Sequence, residues 1–374
     1  KSLSINKTQI MNKIKIAIIG CGRISGWHCR AIQDVKGVYL VSVCDLDKAK
    51  CKSYGDQFNV PYFTNYREML NNHPEIDVVA IVTPSGMHFE HAVEIISKFR
   101  KHIIVEKPTF MTPSQVEKAY EIAKKNRKKI FPVFQNRFNT AVQRVKKAIQ
   151  KKEIGEIRIV SVRVRWCRPQ RYYEMSPWRG TFSHDGGALT NQGIHHIDLL
   201  RYLCGEIDEV NCKMSALGAK IKVEDSVIAI FKYKNGAMGN LEVTTAARPD
   251  DYEASISIVG SKGLVQLGGV AVNMLEVFTP NPKECMKYSD DFTKLPDRGR
   301  VYGKGHIDLY KSVANDLNNK KRFYVTKDDC LASIKLLHSF YLSDEKSSWV
   351  KLKKKIKSKR LGRPNEKLSQ LYRI

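Results

Sequence analysis

Three stretches of this 374-residue chain gather residue types that could act together on a carbinol. Glu106-Lys107-Pro108 closes the apolar run that starts at His102, so its lysine falls at the carboxyl end of an expected strand. An ammonium there can hold a substrate hydroxyl and steady the charge that develops as hydride leaves, and burial would bring its pKa toward proton-transfer range. The run Asn191-Gln192-Gly193-Ile194-His195-His196-Ile197-Asp198 reads as helix, where spacings of three and four place Asn191, His195 and Asp198 on one face. A neutral imidazole accepts a hydroxyl proton near pH 7, which makes His195 the candidate general base. Adjacent His195 and His196 diverge by about 100° around a helix, so with Asp198 they do not form a metal site, and no metal is expected.

The third stretch is Gly20-Cys21-Gly22-Arg23-Ile24-Ser25, which follows the strand-like KIKIAIIG and opens a helical run. Glycines in such a turn let backbone approach a pyrophosphate held by the helix N-terminus; here Ser25 replaces the third glycine. Asp45 ends the next strand-like run, where a carboxylate bonds both hydroxyls of an adenosine ribose and repels a 2′-phosphate, so NAD is expected rather than NADP.

These residues need elements to position them. Apolar strands alternate with helical spacing up to KIFPVF, whose Pro132 favours a sheet edge, and Thr112-Pro113 opens one of the helices. That order implies a parallel, doubly covered Rossmann-type sheet over residues 11–135. From 136 to 350 the pattern changes. Val160, Val162, Val164 and Trp166 alternate with Ser161, Arg163 and Arg165, and strand-like segments recur near 224–233, 237–244, 254–259 and 263–267, with Asn235-Gly236 as a hairpin signal. The fold class is therefore α/β, with a C-terminal α+β domain built on a large, mainly antiparallel open sheet and helices near 188–203 and 328–342. Residues 351–374 read as a basic tail.

Sixty-four Lys and Arg against 38 Asp and Glu leave a formal charge of +26, which suits a nucleic-acid binder or an anionic small molecule. The excess is diffuse and 43 of the basic residues are lysines, as a Lys-biased proteome would give, so the body is not assigned to nucleic acid. The tail holds ten basic residues and one acid, Glu366. No apolar run approaches the ~18 residues of a membrane span. Nine cysteines show no C-x-x-C pair, which points to a reducing, cytoplasmic compartment. The first ten residues, KSLSINKTQI, have no apolar core or cleavage site and read as an extension ahead of Met11.

Taken together the chain resembles the glucose-fructose oxidoreductase and inositol dehydrogenase (Gfo/Idh/MocA) family through G-C-G-R-I, T-P-S-G-M-H at 83–88, E-K-P at 106–108 and G-I-H-H-I-D at 193–198. The resemblance implies an NAD-dependent sugar dehydrogenase in which Lys107, His195 and Asn191 work at the hydride-transfer centre. Asn191 stands where many members have an aspartate. The cofactor residues it implies are Gly20, Gly22, Arg23, Ile24, Asp45, Thr83, Pro84, His88, Glu106, Lys107, Gln135, Trp178 and Arg179. The segments Gln170–Tyr173, Pro177–Thr181 and Asp185–Gly193 are similar to bacterial UDP-N-acetylglucosaminuronate 3-dehydrogenases, which implies a UDP-sugar substrate for surface polysaccharide synthesis. Arg165, Arg171, Tyr172, Tyr173, Asn191, Gln192 and His195 are its implied contacts, and an Arg- and Tyr-rich loop suits an anionic sugar because guanidinium groups bind carboxylate and phosphate bidentately. A homo-oligomer, dimer or tetramer, is expected from the same resemblance. Another sugar nucleotide, a free sugar or a cyclitol is the alternative substrate; a redox-sensing or nucleic-acid-associated binding protein using the tail is the remote one.

Overall fold

The computed structural model describes residues 13–290 and 304–373; the extension expected ahead of Met11 lies outside the described residues. Six short apolar runs form one parallel sheet: β1 (Ile14–Ile19), β2 (Val38–Cys44), β3 (Tyr62–Phe63), β4 (Val78–Ile81), β5 (His102–Val105) and β6 (Ile130–Pro132). Their order is β3-β2-β1-β4-β5-β6. Pro132, which cannot donate to a ladder, sits on the edge strand as its chemistry requires. Helices α1 (Ser25–Gln33), α2 (Lys48–Phe58), α3 (Tyr66–Asn72), α4 (His88–Ser97) and α5 (Pro113–Lys125) connect the strands. Thr112 caps α5 through a reciprocal box with Gln115, with Pro113 in the first turn. Strand order reverses between β1 and β4, and the crevice at that switch point is where open α/β sheets take ligands.

After α6 (Thr140–Gln150) comes a second sheet of eight strands: β7 (Ile157–Arg165), β8 (Ile207–Ser215), β9 (Ser226–Tyr233), β10 (Met238–Thr244), β11 (Glu253–Gly260), β12 (Leu264–Gly268), β13 (Met274–Phe278) and β14 (Val350–Lys351). Its order is β13-β12-β11-β7-β10-β9-β8-β14; the β7–β10 pair is parallel and the rest antiparallel. Val160, Val162 and Val164 of β7 are fully buried on the face covered by helices, as the alternation predicted. Trp166 departs from that pattern, because β7 ends at Arg165.

Two expectations change here. The single helix near 188–203 is two, α8 (Gly187–Asn191) and α9 (Ile194–Cys204), broken at Gln192-Gly193 after the short α7 (Gln170–Glu174). The break sets Asn191 on a different helix from His195 and Asp198, and Asp198, one turn beyond His195 on α9, does not reach the cleft that Asn191 and His195 line. It turns into the core, where both carboxylate oxygens take Arg137 guanidinium N–H groups at 2.6 Å and Ser333 donates at 2.9 Å. The basic tail is also not free. Ile356, Leu361 and Leu368 are buried, Gly362 N–H donates to Phe182 O, and Arg360 and Arg373 pair with Asp344, Glu345, Glu90 and Glu366. Its apolar residues, spaced among the lysines, dock it across both domains. Asp198→Ala leaves Arg137 buried with Asp329 as a poorer partner, so it is expected to lower unfolding free energy by about 3 kcal/mol in urea titrations.

Candidate active site

The turn after β1 needs its first glycine. Gly20 has φ +95°, and a Cβ there would sit 2.6 Å from Val82 O on the neighbouring β4 connection. Ser25 compensates for the missing third glycine: its Oγ donates to Gly20 O at 2.5 Å and accepts from Gly22 N–H at 3.1 Å, bracing the loop from inside. Nothing lies within 4 Å of the position of a Gly22 Cβ, so the helix N-terminus faces open space. At the end of β2, Asp45 accepts Cys21 N–H at 2.6 Å and Asp47 N–H at 2.9 Å, which ties the acidic residue to the glycine turn and leaves further lone pairs for a ribose. Both features open into one cleft of about 940 Å³ at the carboxyl edge of the parallel sheet. The cleft wall also carries Arg23, Ile24, Thr83, Pro84 and His88, whose ring nitrogens meet Thr83 O and Pro108 O and so pin the loops after β4 and β5 together. A dinucleotide fits this donor set, and the site is matched to it before any substrate group is considered.

The amine and the imidazole meet in the same cleft, together with Gln135 and Gln192. Lys107 Nζ donates to Asn191 O at 2.7 Å and to Asn191 Oδ1 at 3.0 Å, so β5 and α8 are joined at the reacting end. Burial lowers the Lys107 pKa, with Glu106 and Asp185 opposing and the Arg179 and Arg168 charges reinforcing the fall. Burial, aided by the Lys107 charge, holds His195 well below the usual imidazole range, so it is neutral at pH 7 and able to take a proton. Its Nε2 lies 3.2 Å from the Gln135 amide nitrogen, while its Nδ1 and Gln135 Oε1 have no partner among the described residues. Buried polar atoms left open at the wall of a cleft are what a hydroxylated ligand would satisfy.

Behind Lys107 stands Glu106, whose role no sequence pattern disclosed. Its Oε2 accepts the Lys107 N–H at 3.0 Å and its Oε1 faces His28 Nε2 at 3.0 Å, with Tyr310 OH 2.8 Å from His28 Nδ1. Burial alone would raise this carboxyl, but the His28 and His306 imidazoles and the Lys107 charge outweigh it and hold Glu106 well below the carboxylate range. An anionic Glu106 takes the Nε2–H of His28, and His28 Nδ1 then accepts from Tyr310. His28, Glu106 and His306 are close enough together to suggest metal ligation, but one Glu106 oxygen already accepts the Lys107 main-chain N–H and the other the His28 Nε2–H.

The opposite wall is cationic and aromatic. Arg179 lies 4.1 Å from the centre of the Tyr172 ring and 4.6 Å from that of Trp178, and donates to Tyr172 OH. Arg168 adds a second guanidinium, 5.3 Å from Trp166 and held by Asp251 at 2.6 Å. Leu371 and Tyr372 from the C-terminal segment also line the cleft. Trp166, Arg168, Leu371 and Tyr372 were missed; local spacing carries no signal for them. Three expected contacts do not reach the cleft. Arg165 points to the outer face of β7, bonded to Glu242 at 2.6 and 2.8 Å and to Glu253, because the pleat places it opposite the buried valines. Arg171 is exposed to solvent. Tyr173, on the other side of α7 from Tyr172, is buried and pairs with Thr245 Oγ1 at 2.9 Å.

The start of α8 rests on another buried acid. Glu224 Oε1 accepts from Tyr341 OH at 2.6 Å and Leu189 N–H at 3.1 Å, and Gly187, at φ +84°, leaves no room for a Cβ beside the carboxyl. Burial pushes Glu224 up to about 8 from an ordinary 4.5. The folded state thus holds a proton the unfolded chain releases, so this contribution is full below the ordinary glutamate range and is lost as pH rises through 8. Glu224→Gln is expected to flatten the fall in melting temperature with pH across that window, measured by calorimetry.

A family profile described as "Oxidoreductase family, NAD-binding Rossmann fold" matches residues 14–134, and the GFO/IDH/MocA C-terminal domain profile matches residues 142–266. The solved WlbA dehydrogenase from Bordetella pertussis, in complex with NADH and UDP-GlcNAcA, is 33% identical with a TM-score of 0.85, over 92% of this chain and 99% of that one. The Chromobacterium violaceum WlbA structure, with the same two ligands, is 33% identical with a TM-score of 0.81, over 92% and 97%. Levoglucosan dehydrogenase of Pseudarthrobacter phenanthrenivorans is 31% identical over 293 residues, 67% of this chain and 74% of its own length. Among the described residues no helix is long and apolar enough to cross a membrane.

Proposed function

The chain belongs to the GFO/IDH/MocA family of oxidoreductases, an NAD-dependent sugar dehydrogenase, and from that premise we propose that it oxidises the C3 hydroxyl of UDP-N-acetylglucosaminuronate to the 3-keto sugar nucleotide. The observation that carries the reading is the convergence of Lys107 and His195 in the cleft that the glycine turn and Asp45 open for a dinucleotide. The two WlbA relatives, whose structures hold NADH and UDP-GlcNAcA, support the choice of substrate. So does the wall built from Arg168, Arg179, Tyr172 and Trp166, which offers guanidinium groups to carboxylate and diphosphate and ring faces to the sugar.

Bound NAD supplies the hydride acceptor. Within the chain, the neutral His195 imidazole takes the hydroxyl proton, and the Lys107 ammonium, aimed by Asn191 and by the Glu106 brace, stabilises the oxygen as negative charge grows on it. Gln135 and Gln192 border the same point and orient the ring.

The 3-keto product is the kind of sugar nucleotide that surface polysaccharide synthesis would aminate. Ile159, Ile228, Ile230 and Met238 are exposed on the outer face of the second sheet, which supports a homo-oligomer joined through that face. Nine unpaired cysteines, seven of them buried, support a reducing cytoplasm. The packing of the C-terminal segment, with Arg360 and Arg373 already paired to acids, disfavours the nucleic-acid reading.

A panel of UDP-sugars, free sugars and cyclitols followed by NADH absorbance tests the substrate. UDP-N-acetylglucosaminuronate should give the highest kcat/KM, and a neutral polyol that outperforms it would replace this reading with the free-sugar one. Lys107→Ala should lower kcat by roughly 100-fold or more while fluorescence titration shows NADH binding unchanged. Retention of most activity would remove Lys107 from the chemistry.

A further inference from the structure

Both hydrogen bonds of the Lys107 ammonium go to one residue, Asn191, whose amide carries no charge. The other end of that amide is also occupied. Asn191 Nδ2 donates to Asp185 Oδ1, and Asp185 Oδ2 accepts the Gly180 N–H at 2.7 Å. Asp185 is 2% exposed, in the turn just before α8. An ammonium has only donors and a carboxylate only acceptors, so the orientation of the Asn191 amide between them is dictated, oxygen toward the cation and NH₂ toward the anion.

We propose that Asp185 is a positioning residue of the reaction centre: acting through Asn191, it holds the Lys107 ammonium in place and supplies the buried counter-charge for it. This rests on the reading of Lys107 as the group that stabilises the substrate oxygen. The charges around the amine make the counter-charge necessary. Glu106 faces it from the adjacent position and Asp185 from the turn before α8; the Arg179 and Arg168 guanidinium groups face it from across the cleft, and His195 from α9. When His195 takes the hydroxyl proton, a second cation appears beside the first. A carboxylate one amide away offsets both, and chained hydrogen bonds in a low-dielectric setting reinforce one another.

The test compares Asp185→Asn with the double variant Asp185→Asn/Asn191→Asp, which moves the negative charge one hydrogen bond closer to the amine. On the NAD-loaded protein without sugar, the pH midpoint for acylation of Lys107 by a water-soluble amine reagent, read by peptide mass spectrometry, should fall by about one unit in Asp185→Asn and recover in the double variant. With substrate, Asp185→Asn should lower kcat roughly 10- to 100-fold at nearly unchanged KM, with much of the loss restored in the double variant. An unchanged midpoint and kcat in Asp185→Asn overturns the proposal. So does a loss that the double variant fails to restore while melting temperature and NADH affinity match the parent protein, because a purely structural aspartate could not be replaced from position 191. If Asp185→Asn does not fold, Asn191→Leu decides: a fall in both midpoint and kcat supports the link, and parental behaviour in both overturns it. The acylation readout uses no sugar, so a wrong substrate assignment would appear only in the sugar panel and leave this result standing.

Discussion

The grip of Asn191 on the Lys107 ammonium, through a main-chain carbonyl at 2.7 Å and a side-chain oxygen at 3.0 Å, spans the seam between two separately built halves. One partner ends a strand of the parallel sheet and the other ends a short helix packed on the second sheet. An amine taken from water must be met by fixed acceptors or it loses its proton, and two oxygens from one residue set its direction as well as its solvation. The cleft between the halves takes its shape from that requirement. The glycine turn and Asp45 are contributed by the first half, the wall of Arg168, Arg179 and Tyr172 by the second, and Lys107 and His195 lie where the two are tied.

Around this tie the chain places several buried carboxyls, each with different neighbours. Glu106 stays anionic between two imidazoles and a backbone N–H. Asp198 sits in a bidentate pair with Arg137. Glu224, with a tyrosine hydroxyl and one amide for company, keeps its proton to about 8. Desolvation acts on all of them; what differs is the number of donors and cations within reach. Asn191 and His195 face the cleft from the two sides of the Gln192-Gly193 break, while Asp198, one turn further along α9, faces the core.

What could be read from the sequence follows the range of the physics. The places of Gly20, Asp45, Lys107 and His195 at one cleft were legible because a strand, a turn and a helix position them by short-range rules. The capping of α5 by Thr112 and the edge position of Pro132 were legible for the same reason. Arg165 was misassigned because residue type suggested anion binding while strand parity, already visible in the neighbouring valines, put it on the outer face beside Glu242. His28, Tyr310 and Tyr372 act through contacts between segments remote in sequence, and no periodicity encodes those. The C-terminal segment misled through composition: its lysines dominate the count, yet Ile356, Leu361 and Leu368 decide where it goes.

That docking has a consequence for the integrity of the groove. The crevice opened by the glycine turn takes Leu371 and Tyr372 of the C-terminal segment into its wall. A Rossmann half stripped of that segment presents a partly walled dinucleotide groove. Proteolytic removal of residues 365–373 is therefore expected to loosen the hold on the nucleotide.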